Sequence, residues 1–131
     1  ENLDGLETME DLLASLGVER WNLQLLTPFG RARRMDLPTE ARLRERLSGL
    51  LDRPPSGLEI QVINCPPCLL PGHEQAAAAD FGKASRQMVF VGEQGVNLQG
   101  FLAGRRAKEP ACAECAWALA CAGPYCFEPE G

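Results

Sequence analysis

The chain has 131 residues but a single histidine, His73. A histidine-based catalytic triad needs that residue placed as a base beside a nucleophile. No second histidine is available as an alternative, and Ser48, Ser56 and Ser85 have no obvious base, so the sequence does not support such a triad. His73 follows Gly72 in a turn-rich stretch, and we expect it on the surface or beside a site rather than as a metal ligand.

Long apolar runs and targeting signals are also missing. No stretch reaches the roughly 18 apolar residues that a membrane-spanning helix needs, so we expect no membrane insertion. The start of the chain shows neither the basic nor the apolar region of a secretory signal, which favours a cytoplasmic protein. Because the chain opens on Glu1 rather than Met, we expect it to be a piece of a longer protein.

Basic residues are in the minority. The 13 Lys and Arg residues against 18 Asp and Glu residues give a formal net charge of -5. Nucleic-acid binding requires a basic face, so this balance argues against it. The local basic clusters at residues 30–34, 42–46 and 104–108 are more typical of the solvated side of a helix or turn.

The first half of the chain alternates helix and strand patterns. Leucines at helical intervals over residues 3–16 predict a helix, and residues 21–26 alternate as a strand does. A second amphipathic helix precedes a second strand over residues 58–63; Thr39 is its N-cap, and its leucine stripe is Leu43, Leu47, Leu50 and Leu51. This order predicts an α/β fold with a parallel sheet. Two strands cannot bury both faces of such a sheet, so we expect this half to complete a larger α/β unit.

After Asn64 the chain becomes rich in turns and cysteines. Residues 87–98 predict a β-hairpin, and a short helix follows it. We therefore expect two domains, an α/β portion over residues 1–64 and a cysteine-rich portion over residues 65–131.

Six cysteines in a chain without a visible export signal favour a metal over disulfides, because the cytosol keeps ordinary thiols reduced. Two C-x-x-C pairs are present, Cys65 with Cys68 and Cys112 with Cys115. This spacing lets two thiolates converge on one metal centre from a tight turn. Two such pairs commonly form a structural zinc site with four thiolate ligands. On this hypothesis the chain is a zinc-stabilised interaction module without catalysis. A secreted disulfide domain is a third hypothesis, and it predicts no metal and no free thiols.

Two later cysteines, Cys121 and Cys126, follow after five and four intervening residues. Zinc takes four ligands, so six cysteines form either one zinc site with two spare thiols or a larger polynuclear centre. Irregular spacings suit the bulkier core of an iron–sulfur cluster. The residues between the cysteines are mostly apolar, and we expect them to form a dry shell around the metal, although a zinc knuckle could use the same packing.

The pattern C-x-x-C-x5-C-x-G with a tyrosine close behind is formed by Cys112, Cys115, Cys121, Gly123 and Tyr125. It resembles the C-terminal signature of radical S-adenosylmethionine proteins, which closes their auxiliary-cluster extension, the SPASM or shorter twitch domain. Upstream, NLQLLTPFGRAR is similar to a late barrel strand and its turn in that family. NCPPCLLPG is similar to the segment after the next strand, where an isolated cysteine supplies a remote cluster ligand.

The resemblance covers most of the chain and implies the last strands and helices of a partial (β/α) barrel, followed by a small twitch-like domain. It implies one auxiliary four-iron, four-sulfur cluster held by three clustered thiolates and one remote thiolate. The clustered ligands are Cys112, Cys115 and Cys121, and the remote ligand is Cys68. Cys65 and Cys126 are then surplus or alternate ligands. In the larger SPASM arrangement a fourth clustered cysteine reaches toward a second cluster, usually after three residues rather than the four seen here, so two complete auxiliary clusters are not expected.

The C-x3-C-x2-C motif that binds the catalytic cluster and S-adenosylmethionine in this family occurs nowhere in the 131 residues. Those two groups are therefore expected only with an N-terminal radical S-adenosylmethionine portion or chain, and this chain alone cannot run radical chemistry. In the family, the auxiliary cluster relays electrons or anchors a substrate, often in the modification of a peptide or small molecule.

Two arginines are candidates for cofactor binding. Arg31 and Arg33 follow the turn at residues 28–30. At the carboxyl ends of the strands, where α/β proteins bind ligands, they would face an anionic cofactor. The competing interpretation is that both arginines are solvated.

Overall fold

The computed structural model describes residues 2–28, 30–78, 88–91 and 93–125. Within these ranges the chain is mixed α/β, and its helices and strands are α1 (Leu6–Ser15), β1 (Arg20–Gln24), α2 (Glu40–Leu51), β2 (Glu59–Ile63), β3 (Ala77–Ala78), β4 (Met88–Val91), β5 (Gln94–Asn97) and α3 (Leu98–Ala103). Short 3-10 helices cover Leu3–Gly5, Gly30–Arg34, Pro67–Leu69, Glu74–Ala76 and Pro110–Glu114. None of the described helices is long and apolar enough to cross a membrane.

The chain divides into two compact units. The first unit is Glu1–Leu25 with Asp36–Ala78, and the second unit is Leu26–Met35 with Ala79–Gly131. The domain division expected after residue 64 stays a prediction, because compactness does not show where a cluster-binding domain starts.

Helix α2 has the form that its sequence predicts. Thr39 is its N-cap, and the backbone N–H of Arg42 donates to the Thr39 hydroxyl oxygen at 3.3 Å. Leu47 and Leu50 of the leucine stripe are buried. Burying one such side chain contributes about 1.5–3 kcal/mol, so this stripe fixes which face of α2 meets the core.

The first unit contains a parallel sheet with strand order β1-β2-β3, which confirms the predicted parallel pairing. Val62 of β2 is fully buried, and Trp21 and Leu23 of β1 pack on the same core. The sequence pattern does not predict β3, because two alanines carry no alternation.

The other face of β1 and β2 is polar. Arg20 and Glu59 lie opposite each other in register and form an ion pair of 2.9 Å, and Asn22 lies opposite Gln61. Hydrogen bonds from Arg20 and Gln61, together with the Arg20 charge, hold the pKa of the Glu59 carboxyl below its usual range. Most parallel sheets have helices packed on both faces, and both faces are then apolar. The polar face of β1 and β2 differs from that arrangement.

The turn-rich segment after β2 belongs to the core of the first unit. Asn64 has a φ of 61°, a left-handed conformation that asparagine tolerates, and it turns the chain away from β2. Leu70 is fully buried, and Cys65 and Leu69 are 6% and 8% exposed. Although its composition resembles a loop, the segment is therefore anchored by apolar side chains.

In the second unit, β4 and β5 pair antiparallel with Met88 opposite Asn97, which confirms the predicted hairpin. Helix α3 follows directly. The Asn97 side chain accepts a hydrogen bond from the N–H of Gly100 at 3.1 Å and thereby caps the helix.

Replacing Leu47 by alanine should lower the free energy of unfolding of the first unit by about 2–5 kcal/mol, because it removes a fully buried side chain. Leu12→Ala is the control, since Leu12 is 51% exposed, and it should change stability by about 0.5 kcal/mol or less. Urea unfolding is followed by the fluorescence of Trp21 in a Trp117→Phe background, which leaves one tryptophan. Equal effects of the two substitutions would contradict the placement of the core.

Replacing Arg42 by glutamine should raise the pKa of Asp4. One Arg42 nitrogen donates to both Asp4 carboxylate oxygens, at 2.8 and 2.7 Å, and this bond and the Arg42 charge lower that pKa. A lowered pKa in the folded state means that the contact adds stability above the unfolded-state pKa and loses it as pH falls through the folded-state value. Carboxyl NMR titration measures the change, with Arg44→Gln as the control, because Arg44 pairs with Glu40. An unchanged Asp4 pKa in the Arg42 variant would refute the contact.

Candidate functional site

Cys112 and Cys115 lie on one tight turn of the second unit. The 3-10 helix Pro110–Glu114 carries Cys112, and Pro110 at its first position needs no N–H partner. The N–H of Cys115 donates to the carbonyl oxygen of Cys112 at 3.3 Å. Both thiols are thus presented from a single turn, as the C-x-x-C spacing predicts.

Two backbone N–H groups in this loop donate to cysteine sulfurs. The N–H of Trp117 lies 3.4 Å from Sγ of Cys115, and the N–H of Gly123 lies 3.3 Å from Sγ of Cys121. In both cases the donor is the second residue after the cysteine. Such bonds stabilise negative charge on sulfur, and they are among the interactions that tune metal-bound thiolates.

The five residues between Cys115 and Cys121 form successive turns. The N–H of Ala118 donates to the carbonyl oxygen of Cys115 at 2.9 Å, and the N–H of Cys121 donates to that of Trp117 at 2.8 Å. Cys112, Cys115 and Cys121 are half-buried free thiols. The backbone between Cys115 and Cys121 is therefore compact, although five residues separate the two cysteines.

Residues 106–108 hold this cysteine loop, defined here as residues 110–125. Arg106 and Tyr125 form an antiparallel backbone bridge, and the N–H of Ala107 donates to the carbonyl oxygen of Pro124 at 3.2 Å. The Lys108 ammonium donates to the carbonyl oxygen of Ala118. The loop is thus tied at its end and near its middle.

Gly123 is required by the backbone. Its φ is 91°, and a Cβ placed on it would lie 2.4 Å from the carbonyl oxygen of Ala107. Any larger residue would be strained and would also push the two backbone segments apart. The glycine of the C-x-G pattern therefore has a structural cause.

The expected dry shell does not form from the apolar residues of the loop. Leu119 is fully exposed and Trp117 is 40% exposed, while Ala113, Ala116 and Ala120 are also exposed. The turns that gather the backbone point these side chains outward. The expectation of a dry shell built by these residues was wrong.

The remaining cysteines differ from one another in their surroundings. Cys68 is exposed on the 3-10 helix Pro67–Leu69 of the first unit. Cys65 is buried in the hydrophobic core, where its thiol donates to the carbonyl oxygen of Pro66 at 3.5 Å. Cys126 lies outside the described residues. Among the residues that are described, no three His, Cys, Asp or Glu side chains are gathered closely enough to hold a metal ion.

Of the predicted cofactor-binding arginines, Arg31 is exposed on the 3-10 helix Gly30–Arg34, and the side chain of Arg33 lies outside the described part of the chain. Their role toward an anion stays a prediction. His73 is half-buried, and its Nε2 lies 2.7 Å from the Asp52 carboxylate. Its expected place on the surface or beside a site stays a prediction.

A cavity of about 320 Å³ lies in the first unit, lined in part by Glu10, Arg53, Ser56 and His73. Glu10 is 3% exposed, and it accepts a hydrogen bond from the Ser56 hydroxyl at 3.0 Å and pairs with Arg53 at 2.8 Å. The sequence gives no signal for this buried acid, because it falls in a helix with an ordinary acidic face. The cavity lies beside the amino end of β2, whereas α/β proteins bind ligands at the carboxyl ends of strands.

Comparison of the chain with known protein families, curated proteins and solved structures finds no match.

Replacing Gly123 by alanine should lower the stability of the second unit by at least about 1–2 kcal/mol, because the left-handed conformation and the close contact with Ala107 both oppose a Cβ. Gly49→Ala is the control. Gly49 lies inside α2, and a Cβ added there would meet no neighbouring group within 4 Å, so alanine should stabilise by up to about 1 kcal/mol.

The fluorescence of Trp117 in a Trp21→Phe background follows unfolding of the second unit, and the fluorescence of Trp21 in a Trp117→Phe background follows the first unit for the Gly49→Ala control. A Gly123→Ala protein as stable as its parent would show that the loop does not approach Ala107 as described.

Proposed function

We propose that this chain is the C-terminal region of a radical S-adenosylmethionine enzyme that modifies a peptide or small molecule. In this proposal Cys112, Cys115 and Cys121, with Cys68, hold an auxiliary four-iron, four-sulfur cluster. When bound, such a cluster supplies a one-electron relay or an anchoring point for a substrate. The chain acts together with the portion or chain that carries the C-x3-C-x2-C motif, S-adenosylmethionine and the catalytic cluster.

The observation that carries the proposal is the pair of N–H···S hydrogen bonds. Cys115 and Cys121 each accept one from the backbone, at 3.4 and 3.3 Å. A neutral thiol gains little from such a donor, whereas a thiolate gains a charge-assisted bond. These two donors support the proposal, because iron-bound sulfurs carry negative charge and would gain from both bonds.

The first unit supports the barrel part of the proposal. Its sheet is parallel, and the exposed face carries the Arg20–Glu59 pair and Asn22 opposite Gln61. A strand set with one apolar and one polar face fits the wall of an open barrel whose interior binds polar molecules. Such a sheet does not suit a fold in which helices cover both faces.

The zinc-stabilised module remains the competing function. It requires Cys65 as a fourth thiolate beside Cys68, Cys112 and Cys115. Cys65 is 6% exposed, packs in the core and donates its thiol proton to a carbonyl oxygen. A metal ligand must be reachable by the metal ion, so the burial of Cys65 supports the set that includes Cys121 instead.

Purified and reconstituted without oxygen, the chain should be brown and contain about four irons and four sulfides. Cys112→Ser, Cys115→Ser, Cys121→Ser and Cys68→Ser should each lose most of the iron and the visible absorbance. Cys65→Ala is the matched control and should keep both, because Cys65 lies in the core rather than on the loop. Metal analysis and absorbance spectra measure these outcomes.

A colourless protein with one zinc per chain, whose binding survives Cys121→Ser and fails in Cys65→Ala, would overturn the proposal in favour of the zinc module. A protein with no metal and no free thiols would instead support the disulfide hypothesis.

A further inference from the structure

Arg106 contacts the cysteine loop through its side chain as well as its backbone. One guanidinium nitrogen donates to the carbonyl oxygen of Gly123 at 3.1 Å, and another donates to the Tyr125 hydroxyl at 3.0 Å. The guanidinium carbon lies 4.1 Å from the centre of the Tyr125 ring. A planar side chain with several donors can make all three contacts at once, whereas lysine cannot.

These contacts act on the residue that donates to Cys121. Arg106 binds the carbonyl oxygen of Gly123, and the N–H of the same residue lies 3.3 Å from Sγ of Cys121. With a φ of 91°, Gly123 depends on its surroundings to keep its peptide groups in place. The antiparallel bridge between Arg106 and Tyr125 fixes the same stretch from the backbone side.

We propose that Arg106 is a positioning residue that aims the Gly123 N–H at the sulfur of Cys121 and thereby raises the reduction potential of the bound cluster. The effect on the reduction potential rests on the proposed function. The positioning of the Gly123 N–H does not, because it requires no metal. A hydrogen bond to a ligand sulfur stabilises the more negatively charged reduced cluster, so its loss makes the potential more negative.

The charge of Arg106 acts in the same direction as the hydrogen bond, so the two effects have to be separated. Arg106→Lys keeps the charge but loses the combined contact with the Gly123 carbonyl and the Tyr125 hydroxyl. Arg105 provides the matched control. Arg105 also stacks on an aromatic ring, 3.6 Å from the centre of Phe101, and it donates to the Phe101 carbonyl oxygen at 3.2 Å.

The first measurement is amide hydrogen exchange by NMR in the metal-free chain. Arg106→Lys should accelerate exchange of the Gly123 amide by about tenfold or more, because it removes the charge-assisted bond to the Gly123 carbonyl, which fixes the neighbouring peptide group and through it the Gly123 backbone. Exchange of the Trp117 amide, which donates to Cys115, should not change. In Arg105→Lys both amides should exchange as in the unchanged protein. Equal Gly123 exchange in the Arg106 variant and its parent would overturn the positioning role.

The second measurement is the midpoint potential of the reconstituted cluster, by titration followed with electron paramagnetic resonance. Arg106→Lys should shift it to a more negative value while the iron content stays the same, and Arg105→Lys should leave it unchanged. A full cluster with an unchanged potential in Arg106→Lys would overturn the tuning role. Absence of a cluster from the unchanged chain would instead refute the proposed function, and the exchange experiment would still test the positioning.

Discussion

Gly123 and Ala107 approach so closely that a single Cβ on Gly123 would lie 2.4 Å from the Ala107 carbonyl oxygen. This contact brings the end of the cysteine loop against residues 106–108, where the backbone bridge between Arg106 and Tyr125 forms. The conformation of Gly123 also directs its N–H to the Cys121 sulfur. The geometry of the third cysteine therefore depends on a backbone approach that only glycine permits.

Cys68 depends on a different kind of support. Its turn follows β2 and is fixed to the first unit by Leu70, which is fully buried, and by Leu69. An exposed thiol on an anchored turn loses little freedom when it binds a ligand, because the backbone is already ordered. Cys65, three residues earlier, serves the same turn as a core residue. The two cysteines of one C-x-x-C pair thus have separate roles in the proposed account.

Local sequence patterns predicted the parts of the structure that depend on local interactions. The leucine spacing and Thr39 predicted α2, and the C-x-x-C spacing predicted the turn at Cys112 and Cys115. The resemblance drew attention to Gly123 and Tyr125, but no spacing indicates that Arg106 binds both, because that contact joins positions far apart in the sequence. No local sequence pattern predicts the burial of Glu10 either, because Glu10 contacts Arg53 and Ser56, which come from another segment.

The dry shell was wrong for a related reason. Hydropathy of the residues around Leu119 indicated burial, but these residues form consecutive turns in which Trp117 and Leu119 are exposed. The roles of Cys126, Arg31 and Arg33 and the assignment of a barrel end stay predictions.

X-ray absorption spectroscopy of the reconstituted chain at the iron edge tests most directly whether the cysteines hold an auxiliary cluster. We expect iron surrounded by sulfur together with a second shell of iron scatterers, which only a cluster produces. An iron spectrum without iron neighbours, or a zinc site with four sulfur ligands in place of iron, would contradict it.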